Sequence, residues 1–194
     1  MNETEFLHTV EVNLTSLRAT IDNLKKCLFT RDKKLVKETV KTFYSSLNTT
    51  LPLFTDLVGK PEKTSTEKQL IGLLPILQQL GGAAEDLVNG VQAAVVAEIP
   101  LTDRALTEIS EIMGLVRDLT RDTYDAMSSD NERFKEYVVG EARTISDRIR
   151  DFGIDHQQRL VVGVCMPKAS FLYLDVMNSL KRMAQELSSF FERT

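Results

Sequence analysis

Tryptophan is absent from the 194 residues, aromatic side chains make up 7%, and there are only two cysteines, five prolines and nine glycines. A sandwich or barrel needs aromatic and β-branched residues at short spacing, so this scarcity points away from β architectures. So little glycine and proline excludes fibrous and low-complexity chains. Cys27 and Cys165 stand far apart and outside any Cys-x-x-Cys spacing, which excludes a disulfide framework, a zinc knuckle and a redox pair. Two reduced thiols in the cytosol are expected instead. No run reaches the roughly 18 consecutive apolar residues of a membrane span. The opening residues Met1-Asn2-Glu3-Thr4-Glu5-Phe6 lack the basic and apolar regions of a signal peptide, so the expected location is the cytoplasm. Positive charge is not in excess either: 24 basic against 28 acidic side chains give a net -4, and no nucleic-acid partner is expected. There is no glycine-rich phosphate loop, no His-Glu-x-x-His and no Gly-x-Ser-x-Gly, so the expectation is a non-enzyme with no catalytic residues and no cofactor.

What the chain does have is 42% hydrophobic and 27% charged residues, arranged at three- and four-residue steps. The clearest stripe is the last one, Leu172, Val176, Leu180, Met183, Leu187 and Phe190. The periodicity predicts an all-α fold of six long helices, at about 3–29, 31–58, 66–97, 103–127, 131–160 and 168–193. Gly59-Lys60-Pro61, Ser128-Ser129-Asp130-Asn131 and the stretch around Gly163 and Pro167 punctuate them, and Thr102 is the expected N-cap of the fourth. Pro52 and Pro75 fall inside the second and third helices, where an interior proline predicts a bend or break. Met113, Met127, Met177 and Met183 sit on apolar helix positions as core fillers.

The two halves look alike. Leu77-Gln78-Gln79-Leu80 mirrors Leu180-Lys181-Arg182-Met183, and the end of the first helix, Cys27 to Asp32, mirrors Ala126 to Asn131. An offset of about 100 residues in both places predicts two tandem antiparallel three-helix bundles, a pseudo-two-fold duplication over 1–98 and 99–194 with its seam at Pro100.

Three stretches follow one another in the second half: Asp155-His156-Gln157-Gln158-Arg159-Leu160, then Gly163-Val164-Cys165, then Tyr173-Leu174-Asp175 running on to Asn178, Leu180, Lys181 and Arg182. In order and spacing this resembles the PhoU-like domain that follows the membrane part of bacterial sodium/phosphate cotransporters. Ile99-Pro100-Leu101-Thr102-Asp103-Arg104-Ala105 is similar to the start of that family's second repeat. The resemblance implies a cytoplasmic regulatory or scaffold domain of phosphate transport or phosphate signalling. It would act by docking on a phosphate transporter or sensor protein, held peripherally at the inner face of the membrane through that transporter and without direct membrane insertion; a homodimer is allowed for. It also implies, in many members, metal held by a Glu-x-x-x-Asp pair in each repeat. This sequence departs there: the pairs read Gln78 with Gly82 and Lys181 with Gln185, and Glu186 replaces a histidine. No metal cluster is therefore expected, and Arg182, Asn178 and Lys181 become the candidates for partner docking.

Asp118 with Asp122 and Asp147 with Asp151 keep the four-residue spacing that places two carboxylates on one helix face. Together with Glu186 they are the remaining metal candidates, although the arginines around them favour a solvated charged face and two carboxylates leave most of a hard cation's oxygen ligands to water. His156 supports an alternative, a helical-bundle phosphorelay or a ligand-sensing module that uses this histidine or a cavity between helices. An inter-helix hydrogen-bonding histidine is the plainer expectation, and Cys165 reads as a packed loop residue.

Overall fold

The computed structural model describes residues 3–129, 131–164 and 166–192 and, of these, the side chains of all but 3, 49–54, 56, 66 and 69. Cys165 and the side chain of Pro52 lie outside that set. Among the described residues every element is an α-helix: α1 (Glu3–Thr30), α2 (Lys33–Gly59), α3 (Ser65–Val96), α4 (Asp103–Met127), α5 (Glu132–Val161) and α6 (Pro167–Glu192). No helix among them is long and apolar enough to cross a membrane.

Local chemistry sets the starts. Thr102 caps α4, its hydroxyl accepting from the Ala105 amide. Asp32 accepts from Lys34 and Leu35 at the start of α2, and Asn131 accepts from Phe134 at the start of α5. Thr64 and Glu67 form a reciprocal capping box on α3, a signal legible in the sequence. A bend or a break was expected at Pro75, and of the two the break does not occur: α3 runs as one element from Ser65 to Val96 with Pro75 inside it. Pro75 is exposed while Leu74 and Ile76 beside it are buried, so the carbonyl deprived of its donor lies on the side of the helix that water can reach.

Three of the connections meet at one end of the molecule, and each contains a residue with positive φ: Arg31 at 56°, Glu98 at 51° and Gly163 at 75°. At the third, the Gly163 amide donates to the Leu160 carbonyl (3.1 Å) and the Val164 amide to the Arg159 carbonyl (2.9 Å), the pairing that closes a helix on a left-handed residue. Gly163→Ala is therefore expected to lower stability by about 1 kcal/mol. Glu98→Gly is expected to raise it, because the strain of a side chain at positive φ outweighs an exposed ion pair to Lys33. Urea melts of the two variants check the opposite signs.

Contacts run pairwise among α1, α2 and α3, and pairwise among α4, α5 and α6. The two threesomes join through α1 on α4 and α3 on α6, the latter being the most extensive contact in the molecule. Helices α1, α3, α6 and α4 thus form a closed ring, with α2 lying outside against α1 and α3, and α5 outside against α4 and α6. One continuous apolar cluster runs through it, from Phe6 and Ile21 on α1 to Ile112 on α4 and Leu180 on α6. The last stripe read from the sequence is buried throughout, with Leu180, Met183 and Leu187 fully so. Met113, Met177 and Met183 are core residues, while Met127 is half-buried against the core.

Candidate functional site

Helix α4 buries Ala105, Ile109, Ile112, Met113 and Val116 on one face, and Glu108 lies on that same face, only 4% exposed. Burying an unpartnered carboxylate costs several kcal/mol, and four donors converge on this one. Arg159 from α5 donates through Nη1 (2.9 Å) and Nη2 (2.7 Å), one nitrogen to each oxygen. The Tyr173 hydroxyl from α6 donates at 2.8 Å, and Arg104, one turn back on α4, donates through Nε at 2.8 Å. Arg104 also reaches Asp155 at 3.0 Å, so α4, α5 and α6 are tied at one level.

His156 completes the cluster. Its ring stacks on Tyr173 with centroids 4.1 Å apart and planes 15° apart, and its Nδ1 lies 3.4 Å from Arg159 Nη2. Arginine can only donate, so that contact assigns the Nδ1 lone pair as acceptor and the imidazole proton to Nε2. Nε2 is buried and has no hydrogen-bond partner among the described residues. A cavity of about 250 Å³ opens beside the ring, lined by Leu101, Thr102, Ala105, Val164 and Met166 among others.

The electrostatics follow the geometry. Burial alone would push the Glu108 carboxyl up, but the hydrogen bonds from Arg159, Tyr173 and Arg104 outweigh it and hold it below the usual carboxylate range. Burial, with the bond to Glu108, pushes the Tyr173 phenol far up, so it stays a donor. Burial and then the Arg159 charge push the His156 imidazole down, against Glu108. A histidine lowered on folding contributes stability that is present above its unfolded pKa of 6.5 and lost as pH falls through its folded value. Unfolding free energy is therefore expected to decline on going from about pH 7 to about pH 5, and less so in His156→Gln. Equal declines in wild type and variant, measured by urea melts across that range, would remove His156 as the cause.

Chemically this is a closed knot. Glu108 is already satisfied by hydrogen bonds and its charge is compensated, Tyr173 is 0% exposed and His156 2% exposed. What the cluster does is lock three helices in register.

The other residues singled out in the sequence fall elsewhere. Asp118 accepts from its neighbour Arg117 at 2.9 Å, with Asp22 of α1 on the same guanidinium, and Asp122 accepts from Arg121 at 2.9 Å. Asp147 and Asp151 are exposed and share Arg150, at 2.8 and 3.6 Å. Glu186 is half-buried and accepts from the side-chain amide of Gln79 on α3, whose nitrogen lies 2.9 Å from both its oxygens. Among the described residues, no three histidine, cysteine or carboxylate side chains gather to hold a metal ion. Of the docking candidates, Arg182 is paired with Asp86 of α3, Asn178 is exposed and Lys181 half-buried. Cys27 is buried, and burial with Asp32 nearby pushes its thiol up to about 11, which leaves it unreactive.

A second cavity, about 670 Å³, lies in the cleft between α1, α2 and α3, walled by Leu14, Phe43, Leu77, Leu80 and the Gly81-Gly82 pair. Gln78 and Glu85 stand at it, the latter accepting from the Tyr44 hydroxyl at 2.8 Å. Comparison with protein-family models, curated proteins and solved structures finds no match to this chain.

Sequence reasoning singled out His156, Arg159 and Tyr173 and missed Glu108, which collects them. The missed signal was a carboxylate at an apolar-stripe position of α4, where only a buried cation makes it tolerable.

Proposed function

We propose that the chain is a non-catalytic PhoU-like regulatory or scaffold protein of phosphate transport or phosphate signalling, working by docking on a transporter or sensor at the cytoplasmic face of the membrane. The observation that carries this reading is the convergence on Glu108 of residues behind the family resemblance: Arg104 from the stretch 99–105, His156 and Arg159 from the stretch 155–160, and Tyr173 from the stretch that begins with it. Residues spread over three motifs and meeting at one buried point are what a shared structural lock requires. The duplicated three-helix reading has support of its own, since the pattern of helix contacts is unchanged when α1, α2 and α3 are exchanged for α4, α5 and α6.

The test is physiological. Cells lacking the gene are expected to keep taking up phosphate when it is plentiful, and the wild-type gene restores the control. Uptake that follows external phosphate identically with and without the gene overturns the reading.

A ligand-sensing module is the second reading, favoured by the 670 Å³ apolar cleft between α1, α2 and α3. Soaking with apolar dyes and following their displacement tests it. A phosphorelay through His156 meets the obstacle that a phosphoryl donor must reach a ring that is 2% exposed and stacked on Tyr173.

A further inference from the structure

The exposed apolar surface is concentrated at one end. The five most exposed large apolar side chains among the described residues, Val161 (86%), Val162, Phe171, Val164 and Met166 (60%), all fall between 161 and 171, at the turn joining α5 to α6. Soluble surfaces scatter such residues singly, and a contiguous group marks a contact site. Up to Val164 the turn has a defined geometry, the Gly163 and Val164 amides bonding back to the Leu160 and Arg159 carbonyls, with Val161, Val162 and Val164 exposed.

The same end is basic. Arg31 Nη1 donates to the Ile99 carbonyl at 2.7 Å and Lys33 pairs with Glu98, which fastens the α1–α2 connection to the α3–α4 connection. Pro100 and Leu101 of the latter share a cavity wall with Val164 and Met166. Residues 25–37, 96–104 and 155–168, which make up these three connections and the helix ends beside them, hold nine basic and four acidic side chains, a net +5 in a chain whose total is -4. Three of the four acids are committed within the fold, Asp32 capping α2, Glu98 pairing with Lys33 and Asp155 with Arg104, and so are four of the cations, Arg31 on the Ile99 carbonyl, Lys33 on Glu98, and Arg104 and Arg159 on Glu108; Lys25, Lys26, Lys34, Lys37 and Lys168 remain against Asp103. Lys34 and Lys168 are exposed.

We propose that this end docks directly on an anionic lipid bilayer, the α5–α6 turn entering the headgroup region and the lysines resting on lipid phosphates. Charge complementarity selects the occupant: aliphatic tips ringed by cations match an anionic interface, where apolar burial and electrostatic attraction add. Against the expectation of no direct membrane insertion, which rested on the lack of a spanning helix, an interfacial turn needs no span. The inference is independent of the phosphate reading, since lipid vesicles contain no transporter.

Sedimentation with vesicles of phosphatidylethanolamine and phosphatidylglycerol is the test, with phosphatidylcholine vesicles alongside. Wild type is expected to sediment with the anionic vesicles, far less with phosphatidylcholine, and less as salt rises. The double variant Val161→Ser, Val162→Ser is expected to bind about tenfold more weakly, and Lys34→Glu with Lys168→Glu to lose the preference for anionic lipid. Val12→Ser, an exposed site on the body of α1, is expected to bind as wild type does. Unchanged circular dichroism melts establish that the variants fold. Because the chain has no tryptophan, Val162→Trp supplies a single reporter whose emission should shift to the blue on anionic vesicles. Failure to sediment with anionic vesicles, binding indifferent to the serine pair, or an unshifted tryptophan overturns the proposal. So does light scattering that shows a dimer in wild type and a monomer in the serine variant, since the patch would then be covered by a second copy.

Discussion

Glu108→Ala is expected to lower the unfolding free energy by about 3–5 kcal/mol, the cost of stranding a buried charge. The Arg159 side chain is 15% exposed and would lose both of its carboxylate bonds, while the fully buried Tyr173 hydroxyl would lose its acceptor. Arg104, with its side chain 59% exposed, would turn to water and to Asp155 and add little. For a chain of this length the loss corresponds to a fall in melting temperature of about 10 °C. The pair of variants Glu108→Leu with Arg159→Leu is expected to cost far less than the sum of the two single changes, because an apolar pair leaves no orphan charge. A loss under about 1 kcal/mol for Glu108→Ala, read by urea or thermal melts, would mean that the carboxylate is solvated and the lock does not exist. Acid should reproduce the alanine variant in part. The Glu108 pKa is lowered on folding, so its contribution is present above the ordinary carboxylate value of 4.5 and lost as pH falls through the folded one.

Leu180→Ala is expected to cost about 2–5 kcal/mol, from lost transfer free energy plus the cavity left behind. Leu180 is fully buried on α6, one turn from the equally buried Val176 and Ala184, in a helix that packs against α3, α4 and α5. Phe171→Ala, on the same helix but 71% exposed, is the comparison and should leave stability within about 0.5 kcal/mol of wild type. Similar losses for the two would place the buried face of α6 elsewhere.

Where apolar residues recur at helical spacing, the elements were legible to within two residues, because a helix that must bury one face writes its period into the chain. The stripe on α6 is the clearest instance, and Thr102 as N-cap of α4 follows from chemistry that acts within four residues. Long-range partners were not legible. Glu108 and Arg159 stand 51 positions apart and nothing in the intervening sequence announces that the two meet, although a carboxylate beside Ile109 on an apolar stripe asks for such a cation. At Pro75 the local penalty was foreseen, but that α3 continues through it was not, because which side of α3 faces water depends on how α2, α1 and α6 pack. The basic apolar end was also out of reach, since it assembles Arg31, Ile99 and Val164 from three separate connections.

The position of α2 has a dynamic consequence. Among the described residues it packs on α1 and α3 alone, and the large apolar cleft lies between the three. The closed ring of α1, α3, α6 and α4 does not need it for closure, whereas α5, on the other side, is pinned by Arg159 to Glu108. Local opening should therefore be cheapest at α2, whose amides would exchange with solvent through partial release of that helix while the ring and α5 exchange only on global unfolding. The protein then carries one helix that can swing away and return without the rest of the fold coming apart.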